Sequence, residues 1–259
     1  MAEGLLIKER KDTLLYLAAA VGFLSAAALW RSGQPWFVCL GVLLLLTLAA
    51  CLFASVQAVR MHSRILAYFY TLLKPKDFIE GYTLLLKQAR VRPHIRFSML
   101  INLASACTAA GDYAQAGEVL DQTETLPVAK RRKSQAILAG KRCHLYCSMG
   151  KREAAQEEWE KLEVLSRDGR LVEPDVLEQY RVRIALLDGS VTAQDADFVR
   201  GTMKQARSEL FRTDMKFLLG RIYACLGETA FARAHLAEVA ACDRQLTISA
   251  QAEALLKEL

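Results

Sequence analysis

The sequence contains none of the short motifs that mark a nucleotide-dependent or hydrolytic enzyme. It has no P-loop, no dinucleotide-binding glycine motif, no HExxH and no Gly-x-Ser-x-Gly elbow. The chain has only four histidines, and they are dispersed, so no acid-base constellation stands out. We therefore expect no catalytic residue, no cofactor and no enzymatic activity. An enzyme whose site carries no known motif is the least favoured alternative.

Strand patterns and flexible linkers are also absent. After residue 60, apolar residues recur at the i, i+3, i+4 spacing of helices, and no Gly/Ser-rich tether lies between Val59 and Lys74. The seven cysteines are odd in number and lack the spacing of a disulfide scaffold, which favours a reducing compartment. The helical spacing and the absence of strand patterns predict an all-α protein.

Charged residues are missing from two long N-terminal segments, 13–30 and 36–59. As helices these segments would be about 27 Å and 36 Å long, against about 30 Å for the hydrocarbon core of a bilayer. Only five residues separate them, so the two helices must be antiparallel neighbours. We predict a transmembrane hairpin with Trp30 and Trp36 at one interface.

Basic residues flank the far ends of both segments, whereas the connecting loop holds only Arg31. By the positive-inside rule, residues 1–12 and the domain 60–259 are cytoplasmic. Residues 60–100 carry eight Lys or Arg against two Asp or Glu, a balance that favours contact with anionic lipid headgroups. The residues expected to make this contact are Arg60, Arg64, Lys74 and Lys76.

An alternative interpretation of residues 1–28 is a cleaved secretory signal with Ala26-x-Ala28 as its cleavage site. A second apolar segment follows at once, and the basic residues behind it retain the rest of the chain inside. Cleavage would therefore change the anchor and not the compartment. We expect an integral protein of a bacterial plasma membrane with both termini in the cytoplasm.

Four glycines recur at nearly constant spacing in the second part of the chain. The intervals between them are 39, 39 and 38 residues, and each lies between two helical stretches. A left-handed glycine commonly ends the first helix of a helical hairpin, so the spacing predicts a repeat of such hairpins. The glycines are Gly111, Gly150, Gly189 and Gly227, and the predicted caps of the following helices are Asp112 with Gln115 and Thr192 with Asp195.

One further hairpin is predicted before the first of these glycines. Residues 60–73 would continue the second apolar segment as a single rod, and Lys74-Pro75 would form the turn. Asp77 and Glu80 would then cap a helix running from Phe78 to about Arg90. Pro93, Pro127 and Pro174 lie between the hairpins, as their missing N–H group requires.

The repeat resembles the tetratricopeptide repeat (TPR), which has small residues where two helices approach, a turn glycine, and large residues that fill the gap to the next pair. Its period exceeds the 34 residues of that family, and the copy from Val182 to Phe198 lacks the small residue and the tyrosine. Residues 246–259 would cap the array. The copies are Leu103-Ala104…Gly111-Asp112-Tyr113…Ala116…Leu120, Cys143…Tyr146…Gly150…Ala155…Trp159 and Leu219-Gly220…Tyr223…Gly227…Ala232…Leu236.

The resemblance implies where a ligand would bind, because ligands of this family usually occupy the concave face made by the first helices. The matching positions are Ser105, Thr108, His144 and Arg221. Each of them has the alternative of being only solvated or hydrogen-bonded within its own helix. The Lys/Asn clamp of chaperone-binding members is not reproduced, since Ile65 and Phe69 stand in its first positions.

Two further patterns carry less weight. Cys143-His144-x-x-Cys147 places two thiols one turn apart beside an imidazole, but zinc needs four ligands and no second cluster is near, so we expect packing and no metal. The basic run Lys130–Lys133 has no interleaved aromatic residues, and residues 101–259 are almost neutral. A nucleic-acid partner is therefore not expected.

These patterns predict an all-α architecture, a transmembrane hairpin followed by a TPR-like α-solenoid. The expected function is that of a membrane-tethered scaffold whose concave surface binds a peptide or helix of a partner protein. The alternative is an accessory subunit or assembly factor of a membrane enzyme or transporter, which it would contact through the hairpin itself.

Overall fold

The computed structural model describes residues 2–33, 35–88, 92–167 and 171–259, without the side chains of residues 2–15, 18, 39, 54, 55, 57–59 and 61. Within these ranges the protein is all-helical and has no strand, as predicted. The helices are α1 (Ala2–Arg31), α2 (Trp36–Tyr70), α3 (Pro75–Gln88), α4 (Pro93–Ala110), α5 (Tyr113–Glu124), a 3-10 helix (Pro127–Lys130), α6 (Arg132–Ser148), α7 (Arg152–Arg167), α8 (Pro174–Leu187), α9 (Ala193–Lys204), α10 (Glu209–Cys225), α11 (Thr229–Ala240) and α12 (Thr247–Glu258).

The first two helices pack along each other. Gly22 is buried in this contact, and a Cβ atom at that position would lie 3.2 Å from the Cδ1 atom of Leu43. A small residue here lets the two helices approach closely, as it does between helices in membranes.

One segment of the described residues is long and apolar enough to cross a membrane. It is Trp36–Phe53 in α2, with a mean hydropathy of 2.6 and no residue buried inside the protein. The apolar stretch of α1, Ala19–Arg31, is shorter. Length and composition thus supply one candidate span, and the second span of the hairpin stays a prediction.

The second helix continues far beyond its apolar segment. α2 has 35 residues, about 52 Å at the rise of an α-helix. The prediction that the apolar segment and the first helix of the repeats form one rod is confirmed. The rod ends at Tyr70, three residues before the predicted end. Leu73 then takes a positive φ of 59°, which an α-helix does not accommodate.

The third helix begins earlier than predicted. It starts at Pro75 and not at Phe78, because proline is well suited to the first helical position, where no N–H partner is needed. Asp77 consequently lies inside the first turn, and its carboxylate accepts a hydrogen bond from the Gln245 side chain (3.3 Å). The predicted end near Arg90 falls outside the described residues.

The left-handed turns predicted at the four repeated glycines are confirmed, with φ between 72° and 82°. Gly111 has a second reason to be glycine. A Cβ atom there would lie 2.1 Å from the Oγ1 atom of Thr247, at the start of α12. The glycine therefore also lets the C-terminal helix pack against the turn between α4 and α5.

Both predicted helix caps are found. The Asp112 carboxylate accepts from the Gln115 N–H at 3.1 Å, and Thr192 and Asp195 form a reciprocal capping box. The Gln115 side chain instead accepts a hydrogen bond from the Cys107 thiol (3.2 Å), so the first cap is one-sided. Pro93, Pro127 and Pro174, predicted to lie between the hairpins, are instead the first residues of helices, where the missing N–H group needs no partner.

The helices that follow α2 pack with their neighbours in the chain, and the array curves until its end meets its start. α12 covers α10 and α11 and also contacts α4. The Gln245 side chain, just before α12, accepts a hydrogen bond from the Lys76 N–H at 3.0 Å. The C-terminal helix thus contacts the beginning of the array as well as covering its last pair.

Gly220 tests the close approach that the repeat pattern predicts between α10 and α11. A Cβ atom there would lie 2.7 Å from Cγ of Leu236, which is fully buried. We expect Gly220→Ala to lower the free energy of unfolding by about 1–3 kcal/mol through overpacking. The matched control is Gly201→Ala in α9, where a Cβ meets nothing within 4 Å. It should stabilise the helix by about 0.5–1 kcal/mol. Equal effects in chemical denaturation would contradict the close approach.

Candidate ligand-binding cavity

The curved array forms a partly open cavity of about 250 Å³. Its wall is formed mainly by the first helices of four successive pairs, α4, α6, α8 and α10. The last turn of α2 and the first turn of α12 close it from the two ends of the array, through Phe69 and Tyr70 on one side and Thr247 and Ile248 on the other. Since residues of seven helices line the cavity, the curvature of the whole fold determines its shape.

All four residues that the repeat resemblance singled out line this cavity: Ser105, Thr108, His144 and Arg221. The hydroxyls of Ser105 and Thr108 donate to carbonyl groups of their own helix at 2.9 and 3.0 Å, and their lone pairs can still accept. Their spatial convergence is what a shared binding surface needs, while their role in binding stays a prediction.

The cavity is rich in positive charge. Three cations line it, Lys141, Arg183 and Arg221, against one carboxylate, Asp214. Arg183 is paired with Asp214 through a short ion pair. Among the described residues, neither Lys141 nor Arg221 has a hydrogen-bond or ion-pair partner. The charge of Asp214 acts on Lys141 without forming an ion pair, and Arg221 stacks on Phe217 with its Cζ atom 5.8 Å from the ring centroid. Two unneutralised cations therefore face the enclosed space.

Burial makes these charges costly. Desolvation lowers the pKa of Lys141, with the positive charge of Arg183 acting in the same direction and Asp214 opposing it. Desolvation also lowers the pKa of Arg221. For Arg183 the same burial effect is outweighed by the charge and hydrogen bond of Asp214, so its pKa is raised. The two cations without partners are thus held where their charged forms are disfavoured, and a nearby anion would reverse that.

His144 gives a pH-dependent stability. Its pKa is lowered from 6.5 to about 4, first by desolvation and then by the charges of Arg183 and Lys141, with Asp214 opposing. The unfolded chain takes up this proton below pH 6.5 and the folded chain only near pH 4, so stability is lost as the pH falls between these values. We expect up to about 3 kcal/mol from this residue. The free energy of unfolding, measured from pH 7 to pH 4, should change less with pH for His144→Gln than for the wild type. An equal pH dependence in the two proteins would contradict the lowered pKa of His144.

The two cysteines of the Cys143-His144-x-x-Cys147 pattern pack in a hydrophobic cluster with Ala155 and Ile184. A hydrogen bond between the two thiols, together with burial, raises the pKa of Cys143. The same hydrogen bond and the nearby arginines lower the pKa of Cys147. No three Cys, His, Asp or Glu side chains of the described residues lie together as metal ligands. Cys147 lines the cavity together with the cations, so chemical labelling of its thiol can report on the cavity.

Sequence reasoning missed two of the cations, although the repeat contains a signal for one of them. Arg183 lies six residues before its turn glycine, Gly189, as Ser105, His144 and Arg221 do in the other three copies. The copy around Gly189 lacks the small residue and the tyrosine of the motif, so the resemblance did not single out Arg183. Lys141 lies one turn before His144 on the same helix, and only the curvature of the array identifies it as a cavity residue.

The residues predicted to contact lipid lie at different distances from the candidate span. Arg60 and Arg64 are exposed on α2, about 10 and 16 Å beyond Phe53 at the helical rise. Lys74 and Lys76 follow the end of α2, more than about 25 Å from the same point along the helix axis. The four residues are therefore not one cluster.

Comparison with known proteins does not assign the chain to a class of protein. No protein-family model, no curated protein and no solved structure matches the chain. The function is accordingly inferred from the cavity and from the helix that carries it.

Proposed function

We propose that this chain is a membrane-tethered interaction scaffold whose TPR-like array holds a segment of a partner protein in the cavity. The observation that carries the proposal is the pair of cations without ion-pair partners, Lys141 and Arg221, in a cavity that seven helices line. An uncompensated charge in a protein interior is destabilising. A purely structural array would gain stability by pairing these charges or replacing them, so their presence favours a ligand.

The tether in this proposal is α2. Its uncharged segment ends at Val59, and the same unbroken helix reaches the cavity wall at Phe69 and Tyr70, about 15 Å further on. A rigid helix would hold the cavity at a fixed height above the bilayer, which raises the local concentration of partners in the same membrane. The proposal also includes the first span and a bacterial plasma membrane. Both termini are placed in the cytoplasm, following the distribution of basic residues.

Lipid contact is assigned in this proposal to Arg60 and Arg64. The attraction between surface charges and anionic lipid falls off within a Debye length, about 8–10 Å at physiological salt. Measured from Val59, where the uncharged segment ends, Arg60 and Arg64 lie about 2 and 8 Å along the helix, within that range. Lys74 and Lys76 follow the end of α2, more than about 16 Å from Val59, and are beyond it. The latter two lie beside the junction between α3 and the C-terminal segment, where the Lys76 N–H is bonded to Gln245.

Proximity labelling with a cavity-blocking variant tests the proposal. Ser105→Trp places an indole in the cavity, and Ser98→Trp places the same group at an exposed position two turns earlier on the same helix, outside the cavity lining. Both variants keep the whole anchor. We expect the partners labelled by the intact chain to be retained with Ser98→Trp and lost with Ser105→Trp. An unchanged set of partners with both variants would contradict binding in the cavity.

A second candidate function is supported by the exposed apolar surface of α2. Leu44, Leu45 and Leu48 are all about 60% exposed or more, and none of the segment Trp36–Phe53 is buried in the protein. In an accessory subunit, this surface would contact the helices of a membrane enzyme or transporter. Exchanging residues 13–59 for an unrelated two-helix hairpin separates the two functions, because partner labelling survives in a scaffold and is lost in an accessory subunit.

A further inference from the structure

We infer that the group received by the cavity is a compact dianion, a phosphate or a pair of carboxylates, that reaches it from the aqueous phase. This inference rests on the proposed function, since it names the chemistry recognised by the same cavity. It concerns the anionic group alone and holds whether a small molecule or a partner segment presents that group.

The charges of the cavity carry the inference. Lys141 on α6, Arg183 on α8 and Arg221 on α10 project from three neighbouring first helices, and the charge of Arg183 acts on both of the others. Asp214 is the one carboxylate on the wall, and it is already ion-paired with Arg183. With all three cations protonated, the wall has a net charge of two positive units, which a doubly charged anion would neutralise.

The remaining polar groups suit an anion as well. Gln179 and Tyr180 on α8 and Gln251 on α12 line the same space and can donate hydrogen bonds to oxygen atoms. Hydrogen bonds in which donor or acceptor is charged are roughly twice as strong as neutral ones. A volume of about 250 Å³ is below the usual range for drug-sized ligands. It accommodates a phosphate or a short dicarboxylate and excludes a helix.

The position of the cavity decides between an aqueous anion and a lipid headgroup. The nearest wall residue on α2, Phe69, lies ten residues, about 15 Å, beyond Val59, where the uncharged segment ends. Headgroups of the same bilayer do not reach that height, and their surface potential is screened there. The anion therefore comes from solution.

Anion-dependent thermal unfolding of the full chain in nanodiscs of zwitterionic lipid tests the inference. The probes are inorganic phosphate and succinate, with chloride at equal ionic strength as the reference. Both dianions should raise the melting temperature of the wild type and of Lys204→Met, which removes an exposed cation outside the cavity. In Lys141→Met/Arg221→Met they should bind about 100-fold more weakly. This double variant should also melt above the wild type when no dianion is present, which a structural role for the two cations does not predict.

Equal responses to phosphate, succinate and chloride in the wild type would overturn the inference. A dianion effect that persists unchanged in the double variant would do the same.

A second measurement needs no substitution on the charged wall. With the cysteines outside the array's core replaced by serine (Cys39, Cys51, Cys225 and Cys242), the remaining thiol on the cavity wall is Cys147, which is buried but 7% exposed, whereas Cys107 and Cys143 are 0% exposed. A sulfonate-bearing methanethiosulfonate should modify it at least tenfold faster than a trimethylammonium-bearing one, and phosphate should slow the reaction. Equal rates would overturn the inference. Protection by nanodiscs of anionic lipid, without added phosphate, would overturn its aqueous source.

The two proposals fail separately. If dianions bind and Ser105→Trp leaves partner labelling unchanged, the scaffold proposal fails and the anion site stands. If Ser105→Trp abolishes partner labelling and neither dianion binds, the scaffold stands and the anion inference fails.

Discussion

Replacing Phe78 by alanine is expected to lower the free energy of unfolding by about 3–5 kcal/mol, the usual cost of removing a fully buried aromatic ring. Phe78 on α3 is 1% exposed and stacks between Phe69 of α2 and Tyr82 of α3, with ring centroids at 5.3 and 4.4 Å. This stack joins the long helix to the rest of the array. Its loss should therefore loosen the array from its tether as well as destabilise the fold.

Chemical denaturation of the full chain in detergent, followed by circular dichroism, measures this effect. The matched control is Phe231→Ala in α11, because Phe231 is 58% exposed and should cost less than about 1 kcal/mol. Spin labels on α2 and α4 should in addition show a broader distance distribution in Phe78→Ala. A loss of stability equal to that of Phe231→Ala would contradict the rigid joint.

Two arginines in the apolar segment of α2 are expected to release the chain from the membrane. Leu45 and Leu48 lie near the middle of Trp36–Phe53 and are exposed on the helix surface. An arginine at the centre of a membrane span costs about 2.5–3.5 kcal/mol and a leucine contributes about half a kcal/mol in favour of insertion. Leu45→Arg/Leu48→Arg therefore opposes insertion by roughly 7 kcal/mol in total.

Alkaline carbonate extraction of membranes measures the retained fraction. The wild type should stay in the pellet and the double variant should move to the supernatant. Leu72→Arg, at a residue 53% exposed beyond the end of α2, introduces the same side chain outside the segment and should leave retention unchanged. Retention of the double variant at the wild-type level would contradict the assignment of this segment as a membrane anchor.

Local sequence signals predicted the order and the turns of the helices. Gly111 and its three repeats take the positive φ that was expected, and Thr192 with Asp195 forms the expected capping box. These features depend on residues only a few positions apart, so they can be recognised without knowledge of the fold. The early start of α3 at Pro75 was missed because two local signals competed there, and proline prevailed over the Asp77 cap.

Features that depend on distant residues were not predictable in this way. The repeat resemblance located Ser105, Thr108, His144 and Arg221 on one face. It gave no indication that Arg183 pairs with Asp214, 31 residues away, or that Lys141 and Arg221 would be left without partners. The contact of α12 with α4, which encloses the cavity, depends on the summed curvature of all the helix pairs. No short stretch of sequence encodes that curvature.

The central claim is that the cavity is occupied while the chain is in its own membrane. The most direct test is the reaction of Cys147 with N-ethylmaleimide, measured by mass spectrometry in native membranes and in the purified chain. Exposed Cys225 serves as the reference thiol. We predict that Cys147 reacts at least tenfold more slowly in native membranes, with Cys225 unchanged. Equal rates for Cys147 in the two preparations would show an empty cavity and contradict the account.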